Sequence, residues 1–146
     1  MKLKMLGVLL VSALATAATA FAVATPIVAT PIAVGTMKAT TIHAKSGAMI
    51  VDSIKIAPGG NFGWHTHGAP VAVVVTGGTL TVFDPTVSGC APFKVSKGQS
   101  FVEPANHVHL ARNDGQKPVT LYAVYLGVAK SSAANAPAPK PAGCDA

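Results

Sequence analysis

From Met49 onward the chain is interrupted by a turn signal roughly every ten residues, which leaves room only for short strands. The signals are Pro58-Gly59-Gly60, Thr76-Gly77-Gly78, the segment "FDPTVSGCAP", Lys97-Gly98, Pro104 and Asn113-Asp114-Gly115. Between them lie "MIVDSIKIA", "VAVVV", "TLTVF", "FKV", "QSFVE", "HVHLAR" and "PVTLYAVYL", several of them rich in β-branched residues. No long, capped stretch places apolar residues at i, i+3 and i+4, so helix is excluded as the main element. The pattern predicts one antiparallel all-β sandwich or barrel. Thr76-Gly77-Gly78 and Asn113-Asp114-Gly115 have hairpin-turn composition, and each is expected to join two strands that pair with one another.

The two ends of the chain have a different character. Residues 1–24 are expected to be a secretory signal peptide. "MKLK" is its basic start, "MLGVLLVSALATAATA" its apolar run, and Ala18-Thr19-Ala20 and Ala22-Val23-Ala24 are two small-x-small cleavage sites. The competing reading is a single membrane anchor; the run is short and Ala/Thr-rich, which disfavours it. A cut after Ala24 is preferred to one after Ala20 and leaves Thr25 first. The mature protein is then expected to be periplasmic or secreted, with no membrane attachment. Residues 25–44, beginning "TPIVATPIAVGT", are read as an extended arm, residues 45–128 as the β-barrel domain, and residues 129–146 as an Ala/Pro-rich C-terminal tail. Roughly 120 mature residues suit one small barrel.

Charge excludes one class of partner. The chain carries 11 basic and 5 acidic residues, a net +6. Loss of Lys2 and Lys4 with the leader leaves nine against five, or +4. The remaining lysines and Arg112 form no run and are not interleaved with aromatics, so no nucleic acid is expected as a partner. The two cysteines, Cys90 and Cys144, have no His or Cys neighbour at ligand spacing. In an exported chain they are expected to form a disulfide that ties the tail to the loop around Cys90.

Four of the five histidines fall in two H-x-H pairs, His65/His67 and His107/His109. Residues i and i+2 of a strand share a face, roughly 6.6 Å apart at Cα. Two imidazoles so placed can converge on one ion at about 2.0–2.2 Å. A third ligand then has to come from another strand, and His107 or His109 can supply it if the two segments pair. His43 has no such neighbour and is read as a surface or strand residue. Val71, Val73 and Val75 share the parity of His65 and His67 and are expected on the same inward face. Trp64 has the opposite parity and is expected to pack. No G-x-S-x-G, P-loop or C-x-x-C is present.

These residues resemble the cupin family, small single-domain type, through both of its motifs. The family's first motif is G-x5-H-x-H-x3-4-E-x6-G, and this chain supplies Gly59, His65, His67, Val71 and Gly78. Val71 stands where the family has glutamate. The second motif is G-x5-P-x-G-x2-H-x3-N, matched by Gly98, Pro104, Asn106, His109 and Asn113. Asn106 replaces a glycine, a mild change because a turn with φ > 0 admits Asn readily. The resemblance implies an antiparallel double-stranded β-helix, or jelly-roll, barrel over roughly residues 45–128. It also implies a divalent metal cofactor, one of Fe, Mn, Ni, Cu or Zn, on His65, His67 and His109.

With valine at 71 the implied site has three histidines and open positions. Three neutral imidazoles leave the full +2 charge uncompensated, so a small anionic bidentate ligand is expected there. Two residues are candidates to replace the missing glutamate. His107 shares a face with His109 if the strand already runs there; otherwise it is a turn residue at the barrel mouth. Glu103 reaches the metal, supports a ligand histidine, or faces solvent, the last being the leading expectation. No catalytic residue is assigned. The family implies oxygenase, isomerase or hydrolytic chemistry without choosing among them. The alternatives are a non-catalytic module that binds a metal or small ligand, and a structural barrel with a vestigial site. A homodimer formed through an edge strand is expected from the resemblance alone.

Overall fold

The computed structural model describes residues 29–129 and 134–146. The signal peptide read over 1–24, with either cut, lies outside the described residues, as do 25–28 of the arm and 130–133 of the tail. Residues 31–146 form one unit.

The strands are β1 (Ala48–Ile56), β2 (Asn61–Thr66), β3 (Val71–Gly77), β4 (Thr79–Phe83), β5 (Phe93–Ser96), β6 (Ser100–Glu103), β7 (His109–Arg112), β8 (Val119–Val128) and β9 (Ala136–Pro137). All their pairings are antiparallel. They form two sheets, a four-stranded one in the order β1-β8-β3-β6 and a five-stranded one in the order β5-β4-β7-β2-β9. The architecture is the expected all-β jelly roll.

Side-chain alternation builds the core between the sheets. Val71, Val73 and Val75 point inward from β3, and Val119, Leu121, Ala123 and Tyr125 from β8. Leu80, Val82, Val95 and Ala111 face them from the other sheet. A period of two puts every second residue on one face. Burying only that face removes apolar area from water at about 25 cal/mol per Å².

Neither of the two hairpin expectations holds. β3 pairs with β6 and β8, whereas β4 pairs with β5 and β7. Thr76-Gly77-Gly78 is therefore a corner where the chain passes from one sheet to the other. The segment around Asn113-Asp114-Gly115 makes the same passage from β7 to β8. Gly-rich composition records that the chain must reverse sharply, and both kinds of turn need that. Gly78 has φ +74°, and a Cβ there would lie 2.8 Å from the Pro118 carbonyl oxygen, so the corner admits only glycine without rearrangement. The second corner is held by Asn113, which is 1% exposed. Its Nδ2 donates to the Ile56 and Lys117 carbonyls at 3.0 and 2.9 Å, and its Oδ1 accepts from Gly115 N–H at 2.9 Å.

A smaller cluster sits on the outer face of the five-stranded sheet. Phe83, Leu110, Cys90 and Cys144 are buried there, with Trp64 packed against them. Trp64 is thus a packing residue, as its parity predicts. The Cys90–Cys144 disulfide lies in this cluster. It fastens the tail to the sheet, and β9 extends the sheet beyond β2. At the other end, Thr36 makes an isolated parallel bridge to Gln99, which lays the arm beside β6.

Candidate metal centre

His65 and His109 are direct cross-strand partners on β2 and β7. Opposite residues in an antiparallel pair point to the same face, so their rings meet inside the barrel with centroids 4.4 Å apart. His67, two residues on, joins them at 4.9 Å from His65 and 5.0 Å from His109. All three are buried, at 6%, 2% and 2% exposure. One ring nitrogen from each lies within 4.8 Å of the others. The sequence-predicted trio is brought together.

Each ring is oriented by a main-chain carbonyl. The Nδ1–H groups of His65, His67 and His109 donate to the carbonyls of Gly63, Ala134 and His107, each at 3.0 Å. A carbonyl only accepts, so these bonds place the proton on Nδ1 and leave Nε2 as the lone-pair nitrogen of the neutral ring. Local sequence arranges this for His65. Gly63 has φ +67° at an irregularity in the β2–β7 register, and its N–H donates to Asn61 Oδ1 at 2.9 Å. For His67 the carbonyl comes from the tail.

Glu103 ends β6 and turns into the barrel. The expectation that it faces solvent is overturned, since it is 9% exposed. Its Oε2 lies 3.1 Å from His67 Nε2 and its Oε1 lies 3.1 Å from His109 Nε2. Despite those distances, neither nitrogen makes a hydrogen bond of acceptable geometry. Burial pushes the Glu103 carboxyl up, but the close approach of His109 and His67 more than reverses this and holds it at about 2. His109 is also desolvated, yet Glu103 raises it above the ordinary histidine value. Burial lowers His65, and the neighbouring imidazoles add to that.

The site therefore holds three lone-pair nitrogens and a carboxylate, with no donor among them when the rings are neutral. Buried polar atoms without partners cost about 1–3 kcal/mol each. A cation removes the cost, and the donor set of imidazole nitrogen and carboxylate oxygen suits a divalent first-row transition metal. The residues present fit such an ion.

His107 is not part of this cluster. It precedes β7, and its Nε2 donates to Asp84 Oδ1 at 2.8 Å. It lies in the irregular segment between the Ala105-Asn106 turn and β7. His43 is exposed. Asn106 adopts φ +59°, the conformation expected of a residue standing in for glycine, and its N–H donates to the His67 carbonyl at 2.6 Å.

Tail residues complete the site, and sequence reasoning missed them. Besides the Ala134 carbonyl on His67, Asn135 lines the cavity, and its Oδ1 accepts from Tyr125 O–H at 3.4 Å. Burial pushes the Tyr125 hydroxyl up. Cys144 was the only signal that the tail returns to the barrel. The cavity at the histidines is about 30 Å³, room for a group no larger than a water or two. A larger groove of about 670 Å³ runs between residues 36–40 of the arm and β5 and β6. It contains no His, Cys, Asp or Glu, so the chemistry-bearing residues are elsewhere.

The sequence model of the cupin domain matches residues 53–125, half of the 146-residue chain. No match is found among curated protein sequences. Among solved structures, the chain is similar to a protein from Klebsiella pneumoniae subsp. pneumoniae MGH 78578 described as having a double-stranded β-helix domain. That match has a TM-score of 0.50 and 19% identity, over 68% of this chain and 81% of that one. It is also similar to the DMSP lyase DddQ from Ruegeria pomeroyi DSS-3, with a TM-score of 0.53 and 16% identity, over 63% of this chain. The chain spans only 44% of that enzyme's length. A cupin-like protein from Thermotoga maritima msb8 matches with a TM-score of 0.50 and 20% identity, over 55% of this chain and 58% of that one. At these identities the likeness is one of fold.

Proposed function

The chain belongs to the cupin-domain family, and on that premise we propose that it binds one divalent metal ion through His65, His67 and His109 and presents it to a small anionic ligand. The observation that carries this reading is the triple pinning of Nδ1–H on carbonyls, which aims three buried lone pairs at one volume. An ion held there supplies Lewis-acid polarisation, or redox chemistry if the metal is redox-active. The protein's part is to orient the rings, to exclude bulk water through β3, β8 and the tail, and to offer the Tyr125 hydroxyl near the ligand volume.

The small cavity favours a second reading, metal or ligand capture without turnover, because about 30 Å³ admits only a few atoms while Asn135 and Phe62 line it. Isothermal titration with Co(II) and Zn(II) tests the shared premise. One ion per chain is expected, and His109→Ala should weaken binding by more than about 100-fold, beyond the loss typical of a supporting partner. Equal affinity in wild type and variant would overturn it. Dioxygen uptake or substrate consumption by the metal-loaded protein separates catalysis from capture.

We place the protein outside the cytoplasm, periplasmic or secreted. The leader-like pattern of residues 1–24 supports this, as does the Cys90–Cys144 disulfide, a bond that persists in oxidising compartments. The exported protein is expected to begin at Thr25 on N-terminal sequencing. An exported chain that still carries Met1 would refute the leader.

A further inference from the structure

Glu103 is the only glutamate in the chain. The β3–β6 register sets it directly across from Val71, the position where the first motif has glutamate. On β3's other side, Val71 pairs with Tyr125, so Glu103, Val71 and Tyr125 form one inward-facing row. Side chains directly opposite in an antiparallel pair have Cβ atoms about 4.5–5.5 Å apart. A carboxylate moved from position 71 to position 103 thus keeps its face of the sheet and shifts by a single strand. Valine at 71 is 1% exposed and leaves that inward volume free of any donor of its own.

The contacts of Glu103 are those of a ligand rather than of a hydrogen-bonding support. A carboxylate that supports a ligand histidine accepts from the nitrogen facing away from the metal. Here those nitrogens, the Nδ1 atoms of His67 and His109, are already bound to the Ala134 and His107 carbonyls. Glu103 instead faces the Nε2 atoms, one carboxylate oxygen to each, at 3.1 Å. Donor atoms that share an ion at 2.0–2.2 Å stand about 3 Å apart when their bonds meet near a right angle. Resting on the metal reading above, we infer that Glu103 is the fourth protein ligand, a carboxylate relocated across the β3–β6 ladder from the position Val71 occupies. The centre then carries a net +1 rather than +2, and the ligand it takes beside the ion is a small monoanion rather than a dianionic chelate.

Because the chain has a single glutamate, labelling with [5-¹³C]glutamate marks one carboxylate side chain. Zn(II)-bound minus apo infrared difference spectra of the whole protein, labelled and unlabelled, report on it without any substitution. Ligation predicts a carboxylate stretching pair that appears in the difference spectrum and shifts with the isotope. A Zn(II)-saturated protein with no isotope-sensitive band overturns the assignment. In the second arm, Glu103→Gln should weaken Co(II) binding at least about tenfold and change the visible Co(II) spectrum; a variant identical to wild type in both also overturns it. Wild type that binds neither metal defeats the metal reading itself. Binding that is lost in His109→Ala but indifferent to Glu103 defeats only the relocation.

Discussion

Main-chain carbonyls, rather than acidic side chains, set the tautomer of all three histidines. That arrangement leaves the chain's one glutamate available at the centre. Asp84, the acid that holds His107, does different work. Its Oδ1 accepts from Thr86 N–H at 2.8 Å, from Thr86 Oγ1 at 2.7 Å and from His107 Nε2 at 2.8 Å. Partial burial pushes the Asp84 carboxyl up, but the bonds from Thr86 and the contact with His107 outweigh it, and the group is held below the ordinary value of 3.8. A carboxyl depressed in the folded state adds stability above its unfolded value, and that stability is lost as pH falls through the folded one. Asp84→Asn is therefore expected to lower stability near neutrality by about 0.5–1.5 kcal/mol, the scale of a turn hydrogen bond. The gap to wild type should begin to close below pH 3.8 and vanish in stronger acid. Thermal midpoints of both proteins across that range check it; a gap independent of pH would contradict the role given to the charge.

At the scale of elements, the corners and the tail matter most. The two Gly-containing segments at 76–78 and 113–115 turn the chain between sheets and not within one. This is why β3 is free to pair with β6 and so to bring Glu103 beside Val71. The tail acts as a strap. β9 pairs with β2 at His65 and Thr66, Ala134 fixes His67, and Cys144 anchors the far end at 1% exposure. Cys90 and Cys144 are 54 residues apart, a loop whose closure limits the unfolded chain by about 4 kcal/mol on the chain-entropy account. Cys90→Ser/Cys144→Ser is expected to lower the melting temperature. It should also weaken Co(II) binding by about tenfold or more, because the carbonyl on His67 is then no longer held in place. Unchanged metal affinity at a lowered melting temperature would show that the strap stabilises the fold without tuning the centre.

For the whole molecule, much of the strand inventory, the inward parity of Val71, Val73 and Val75, the packing role of Trp64 and the two H-x-H pairs were all legible in the chain. Each is a local property: a period of two, a turn residue or an H-x-H spacing is written within a few neighbouring positions. The resemblance to cupins added the pairing of two motifs about forty residues apart, and the family match bears it out. What stayed hidden was non-local. Glu103 was expected in solvent because nothing in "QSFVE" says which strand lies beside it. The hairpin readings failed because a corner and a hairpin need the same residues. The tail's part in the site was invisible because "SSAANAPAPKPAGCDA" has almost no large apolar residue to announce a packed segment. Local pattern is enough to assign the strands and the side chains that share a face. Which strands lie side by side follows from the packed molecule alone. Register between distant strands is set by burying two sheets against each other at once, and that cooperative choice is what puts a carboxylate next to the valine that replaced one.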